Sequence, residues 1–154
     1  MRLPRTLCLL LLLSVCCPLT QAQPTSTLQV SNPRVREAPP GATVHAGYME
    51  FFNTSESTMT IDAVSSPDFD AAEIHRTVID KGVAKMLPVE ELNIPASKSI
   101  TLEPGGLHLM LLGAKHPVRA GETITIIIHL SDGNPYTVSA PVIRMSGDDH
   151  SHHH

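Results

Sequence analysis

The sequence predicts an all-β domain, an antiparallel β-sandwich or small barrel. From Leu28 to about Met145, apolar and polar residues alternate over short runs, as they do on half-buried strands. Turn residues interrupt these runs, and most of the 13 prolines and 9 glycines fall in the breaks. This placement leaves no room for a long amphipathic helix. The run Thr123–Ile128 is also rich in β-branched residues, which favour a pleated surface.

The predicted strands follow one another between clear turn signals. In chain order they are Thr43–Asn53, Met59–Ser65, Glu73–Ile79, Val83–Val89, Ser99–Leu102, Leu107–Leu112, Glu122–Leu130 and Tyr136–Ile143. The signals that bound them are Pro39-Pro40-Gly41, Ser65-Ser66-Pro67-Asp68, Asp80-Lys81-Gly82, Glu103-Pro104-Gly105-Gly106 and Ser131-Asp132-Gly133-Asn134-Pro135.

Residues 1–22 have the pattern of a secretory signal peptide. Arg2 and Arg5 form a positive start, Leu9–Val15 is an apolar run, and Thr20-Gln21-Ala22 offers a cleavage site before Gln23. The apolar run is too short for a membrane span. We therefore expect export to the periplasm and one folded domain over residues 23–145.

All three cysteines, Cys8, Cys16 and Cys17, lie in this leader. Leu13–Cys16 resembles a lipidation box, although Val15 is bulky where a small residue is expected, so lipoprotein processing is the alternative. Cleavage after Ala22 leaves a mature chain without cysteine. That excludes a disulfide framework, thiol redox catalysis and a thiolate metal site.

The charge and aromatic content exclude another class of function. Removing residues 1–22 takes away two arginines, which leaves nine Lys and Arg against fifteen Asp and Glu, a formal charge of −6. The chain has two Tyr, three Phe and no Trp. An acidic chain with so few aromatic rings is not expected to bind nucleic acid.

One spacing stands out: His75, ten residues, Met86, twenty-one residues, His108, one residue, Met110. Imidazole and thioether without thiolate or carboxylate is a soft, neutral ligand set that favours Cu(I). A single strand histidine is usually hydrogen-bonded or solvated, and a single methionine usually fills the core. The combination indicates a metal site, and a metal-free structural β-sandwich is the alternative.

The strand period predicts how these side chains are presented. In Leu107–Leu111, His108 and Met110 share one face and the three leucines take the other, core-facing side. The preceding Gly105-Gly106 pair allows a close backbone approach. A two-residue hairpin loop at Asp80-Lys81 would set His75 directly opposite Met86, whereas a three-residue loop would shift that register.

The same residues resemble the copper motif of the bacterial periplasmic copper chaperones called PCu(A)C. The similarity extends over residues 27–144 and includes Glu73-Ile74-His75, Gly82–Met86, Leu102–Met110, Ala46-Gly47-Tyr48-Met49 and Asn53. It implies a cupredoxin-like β-sandwich that binds one Cu(I) near its surface. It also implies copper delivery to the copper subunit of cytochrome c oxidase, including its CuA centre, alongside thioredoxin-like Sco proteins. One departure is Arg76, where many members have methionine, so position 76 is not counted as a ligand.

The donor set favours a carrier over an enzyme. A blue-copper electron-transfer site needs a cysteine thiolate, and no catalytic triad or carboxylate pair stands out. Neutral ligands near the surface can be exchanged for those of an acceptor. We therefore expect a monomeric, non-enzymatic copper chaperone, with a periplasmic copper buffer or resistance protein as the alternative.

The remaining histidines and methionines of the domain have simpler explanations. We expect His45, His116 and His129 to be structural or solvated and Met49 and Met59 to pack, with a position near the site as the alternative for Met49.

The segment 146–154 has nothing to bury, so we expect disorder. It holds His150, His152, His153 and His154 beside Asp148 and Asp149, a set that suits Cu(II), Ni(II) or Zn(II). The interruption by Ser151 favours a native tail over an artificial tag. We expect a second, weaker Cu(II) site here.

Overall fold

The computed structural model describes residues 27–144, which form ten β-strands and contain no helix. The strands are β1 (Leu28–Arg36), β2 (Val44–Asn53), β3 (Met59–Ser65), β4 (Phe69–Asp80), β5 (Val83–Pro88), β6 (Leu92–Ile94), β7 (Ser99–Leu102), β8 (Leu107–Ala114), β9 (Thr123–Leu130) and β10 (Pro135–Ile143). The all-β prediction is confirmed.

The strands form one sheet that closes on itself. Its order is β5-β4-β8-β7-β2-β1-β10-β9-β3-β6, and a further pairing of β3 with β4 through Val64 and Ala72 closes an eight-stranded ring. The pairings are antiparallel except for β1 with β10 and β7 with β8. Among the described strands β5 pairs with β4 alone, and it therefore lies outside the ring as an edge strand.

The barrel interior is an aliphatic core built by period-two alternation. Along β9, Ile124, Ile126 and Ile128 have exposed fractions of 1%, 0% and 0%. Along β8, Leu109 and Leu111 are equally buried, as the sequence predicts. Because these leucines face inward, their neighbours on β8 must face outward.

The sequence pattern did not predict two of the strands, β1 and β6. β1 contains Asn32 with a left-handed φ of 51°, and its register against β2 shifts between Ser31 and Arg34. This bulge interrupts the alternation that would otherwise mark a strand. β6 has three residues, which is too short for a pattern. β4 also begins at Phe69 rather than at the predicted Glu73.

The predicted leader (1–22) and histidine-rich tail (146–154) lie outside the described residues, as do both ends of the predicted domain 23–145. Within residues 27–144 there is no helix long and apolar enough to cross a membrane.

Asn53 ties the end of β2 to two loops. The side chain is completely buried, and its Nδ2 donates to the carbonyl oxygens of Ser57 and Ile94 at 2.7 and 2.9 Å. Its Oδ1 accepts hydrogen bonds from the backbone N–H and the hydroxyl of Ser55 at 2.9 and 2.7 Å. One buried amide therefore joins the end of β2 to both loops, and its hydrogen bond to the Ile94 carbonyl is fully buried.

We expect Asn53→Ala to lower the free energy of unfolding by about 2–3 kcal/mol, since it leaves the buried Ile94 carbonyl without this donor and removes part-buried hydrogen bonds to Ser55 and Ser57. Urea denaturation measures the change. The matched control is Asn93→Ala, which removes an exposed hydrogen bond to Thr60 and should cost under about 1 kcal/mol. Equal losses in the two variants would contradict this role for Asn53.

Candidate metal centre

Two histidines face each other across neighbouring strands. His75 on β4 is the direct register partner of His108 on β8. Their ring centroids are 6.1 Å apart and the planes are tilted by 46°. His108 is 6% exposed and the His75 side chain 13%, so both rings are largely withdrawn from solvent although they lie on the outer face of the barrel.

The predicted pairing of His75 with Met86 is wrong. Met86 lies opposite Thr77, and His75 is opposite Pro88. The two-residue loop is Lys81-Gly82, with φ of 51° and 80°, rather than Asp80-Lys81. A type I′ turn needs two left-handed residues, and glycine as the second meets this demand without strain. The loop at Lys81-Gly82 therefore shifts the pairing of β4 with β5 by two residues from the predicted register.

Each imidazole has one nitrogen occupied by a hydrogen bond. Nε2 of His75 donates to Glu73 Oε2 at 2.7 Å, and Nδ1 of His108 donates to the Gly106 carbonyl oxygen at 3.2 Å. A neutral imidazole has one N–H and one lone pair. These partners therefore hold His75 as the Nε2–H tautomer and His108 as the Nδ1–H tautomer.

The other nitrogen of each ring is buried without a partner. Nδ1 of His75 and Nε2 of His108 are the buried side-chain nitrogen or oxygen atoms of residues 27–144 that have no hydrogen bond. Burying such a group unsatisfied costs about 1–3 kcal/mol. Two unsatisfied lone pairs on facing rings are the arrangement expected of ligands prepared for a cation, with their N–H groups fixed from behind.

Met86 and Met110 lie on the same face as the two rings. Met86 is opposite Thr77, two residues beyond His75, and Met110 is opposite Glu73. Side chains that are two residues apart, or directly paired, point to the same side of a sheet. One thioether therefore lies at each end of the imidazole pair, so the structure brings all four predicted residues to one face. Met86 is 57% exposed, whereas Met110 is half-buried.

The turn before β8 holds this face in place. Gly105 has a left-handed φ of 79°, which favours glycine. The Gly106 carbonyl also accepts the Thr77 backbone N–H at 3.0 Å. The glycine pair signalled a close approach in the sequence. The roles of Glu73 and of the Gly106 carbonyl were not predicted, although the spacing of Glu73 from His75 already placed both on one face.

Arg76 points to the opposite face of the sheet from His75, because neighbouring residues of a strand alternate. It pairs in register with Leu87 and Leu107, and its exposed side chain has no hydrogen bond or ion pair with the described residues. Its position agrees with leaving it out of the ligand set.

The other candidates lie away from this face or have partners. His45 Nδ1 donates to the Arg36 carbonyl at 3.3 Å, and His129 Nε2 lies 2.8 Å from the Ser65 hydroxyl. Asp68 accepts from His116 at 3.1 Å and raises the pKa of that imidazole. Met49 is in the core with 1% exposure, and Met59 packs against the core, as predicted. Between residues 27 and 144, no three His, Cys, Asp or Glu side chains cluster as metal ligands.

Comparison with known proteins identifies the family. A model described as "Putative lipoprotein LpqE-like" matches residues 28–142. The chain is a member of this LpqE-like, PCu(A)C-type family. A relative from Leifsonia xyli subsp. xyli, "Putative lipoprotein Lxx21020", is 33% identical over 129 residues, which cover 83% of this chain and 76% of the relative.

Solved structures share the fold of this PCu(A)C-type protein. The solution structure of CuI-DR1885 from Deinococcus radiodurans is 31% identical, with a TM-score of 0.61 over 81% of this chain and 82% of that one. The copper-bound PCuAC domain from PmoF2 has a TM-score of 0.66 over 77% of this chain and 94% of that domain. At 19% identity the second comparison concerns the fold alone. The predicted cupredoxin-like fold is confirmed.

The tautomers of the two imidazoles can be measured. In the metal-free protein at mildly alkaline pH, we expect His75 to carry its proton on Nε2 and His108 on Nδ1, because of their acceptors. Long-range ¹H–¹⁵N correlation spectra of the imidazoles distinguish the two forms. Finding the same tautomer for both rings would contradict the described hydrogen bonds.

Proposed function

We propose that this protein is an exported, non-enzymatic chaperone that carries one Cu(I) ion as its cargo. Nδ1 of His75, Nε2 of His108 and the sulfur atoms of Met86 and Met110 would bind the ion. The observation that supports this most strongly is the pair of buried, unpartnered nitrogen atoms. A bound cation would satisfy both lone pairs at once.

The donor chemistry favours Cu(I) as the cargo. Two imidazoles and two thioethers are all neutral, and thioether sulfur prefers a soft, monovalent ion to Zn(II), Mg(II) or Ca(II). Glu73 would act from behind His75, where its carboxylate makes the ring a better donor without occupying a position on the metal.

The uneven exposure of the four ligands suits transfer. Met86 lies on the edge strand β5 and is 57% exposed, whereas His108 is 6% exposed. A flexible, exposed thioether can leave the ion first and make room for a ligand of an acceptor. The buried imidazoles would hold the ion until the exchange is complete.

The structural neighbours add independent support. Two of them, CuI-DR1885 and the PmoF2 domain, are structures of a copper-loaded form. The first is 31% identical to this chain. Copper binding by related proteins of the same fold is what a shared site would produce.

The acceptor and the location are further parts of the proposal. The family resemblance favours the copper subunit of cytochrome c oxidase, with its CuA centre, and a Sco-type protein as partners in the periplasm. The lipoprotein descriptions of the family and the relative support the alternative of lipid attachment at Cys16, which would leave Cys17 in the mature chain, beside cleavage before Gln23. Mass spectrometry of the mature N-terminus distinguishes the two.

The site is tested by anaerobic Cu(I) competition titration. We expect one-to-one binding by the parent protein and a fall in affinity of at least about tenfold for each thioether lost in Met86→Leu and Met110→Leu. Met59→Leu is the matched control, because Met59 packs against the core away from the site. Unchanged binding in the double variant, or equal loss in the control, would contradict the proposed ligand set.

Delivery is separated from buffering in cells. A chaperone predicts that a deletion strain loses oxidase activity at low copper and recovers when copper is added. A buffer or resistance protein predicts normal activity at low copper and poor growth at high copper. Complementation with Met86→Leu then shows whether the phenotype depends on the site.

The histidine-rich tail is proposed as a second, weaker site that captures Cu(II). His150, His152, His153 and His154 supply imidazoles beside two aspartates. Removing residues 146–154 should abolish one weak Cu(II) equivalent and leave Cu(I) binding unchanged. An unchanged Cu(II) stoichiometry would contradict this assignment.

A further inference from the structure

A second concave surface lies at the opposite end of β8 from the candidate metal centre. It is a cleft of about 880 Å³ formed by the chain after β1, the start of β2 and the loop after β8. His108 and Ala114 are six residues apart, or about 20 Å along an extended strand. The cleft is therefore separate from the four proposed copper ligands.

The cleft is positively charged although the protein is acidic. The residues that line it include four cationic ones, Arg36, Lys115, Arg119 and Arg144, and one acidic one, Glu37. Two further carboxylates adjoin the lining, since Glu122 accepts from the Arg119 backbone N–H and Asp68 accepts from His116. The whole chain has a formal charge of −4. Cationic residues are thus concentrated at the cleft, although the negative net charge of the whole chain would repel anions.

Only part of this positive charge is neutralised by other groups of the protein. Arg144 Nε donates to Glu37 at 2.8 Å, and this hydrogen bond lowers the pKa of the carboxyl. Lys115 Nζ donates to the Pro67 carbonyl oxygen, which does not neutralise its charge. The guanidinium groups of Arg36 and Arg119 have no hydrogen-bond partner between residues 27 and 144. Arg119 also interacts electrostatically with Glu37 and helps to lower the pKa of that carboxyl, so the two guanidiniums lack hydrogen bonds to the described residues but only Arg36 has no ionic partner there.

A buried polar side chain also lines the cleft. His45 is 5% exposed and its Nδ1 donates to the Arg36 carbonyl, whereas its Nε2 has no partner among the described residues and is not itself a buried atom. The rim contains Pro39, Pro40 and Gly41, where a turn is closed by the Ala42 N–H and the Pro39 carbonyl at 3.0 Å. Two consecutive prolines fix the backbone, so this wall is formed in advance of binding.

We propose that this cleft is a binding site for a small multivalent oxyanion, of the phosphate or polycarboxylate kind. Guanidinium groups bind such oxygens through paired, charge-assisted hydrogen bonds. The volume falls in the range of small-molecule sites, about 300–1,000 Å³. The excess of cations selects a ligand with more than one negative charge. The anion can come from a soluble compound or from the headgroup of an anionic lipid.

The test is calorimetric titration of the copper-free protein with pyrophosphate and with citrate at low salt, and with phosphatidylglycerol vesicles as a separate arm. We expect saturable binding that weakens at least about tenfold in Arg36→Gln/Arg119→Gln. The control, Lys81→Gln/Lys98→Gln, removes the same charge outside the cleft and should stay within about twofold.

The arms identify the source of the anion. Cleft-dependent binding of the soluble anions supports a soluble ligand, and cleft-dependent binding of vesicles alone supports a lipid headgroup. Equal losses in the two double variants, or no saturable binding in any arm, would overturn the proposal. Matching thermal unfolding curves show that both variants fold, and unchanged Cu(I) affinity in the cleft variant separates this site from the metal centre.

Discussion

The register between β4 and β8 is the constraint on which the rest of the site depends. It sets His75 opposite His108 on the outer face and Ile74 opposite Leu109 on the inner face. A slip of one residue would turn His108 into the aliphatic core and a leucine out to the surface. The hydrophobic core therefore keeps both imidazoles on the outer face, and the observed register, rather than one that is slipped by two residues, sets them opposite each other.

The hydrogen bonds behind the two rings determine which nitrogen of each imidazole keeps a free lone pair. Glu73 and the Gly106 carbonyl each hold one N–H, so the two remaining lone pairs are buried without donors. Their desolvation destabilises the empty protein by about 1–3 kcal/mol for each group, which the barrel core has to offset. The opposite end of β8 contributes to a cleft with a different character, where the guanidinium groups of Arg36 and Arg119, rather than lone pairs, lack hydrogen bonds to the described residues. One strand thus links two surfaces of opposite chemical preference.

Much of the site could be predicted from the sequence, because the side-chain period of a strand is local. That period placed His108 with Met110 and separated them from the leucines. The hairpin register was wrong because a left-handed Lys81 is a property of the turn that spacing does not reveal. The pairing of His75 with His108 joins strands far apart in the chain, so no local pattern contains it. The cleft was not predicted for the same reason, since its cationic residues are far apart in the sequence, from Arg36 to Arg144.

X-ray absorption at the copper edge of the Cu(I)-loaded protein tests the central claim most directly. The account predicts two sulfur and two nitrogen scatterers around a single copper ion, and the loss of one sulfur in Met110→Leu with the nitrogen shell retained. A copper environment made of nitrogen and oxygen alone, or a sulfur shell that survives replacement of both Met86 and Met110, would contradict it.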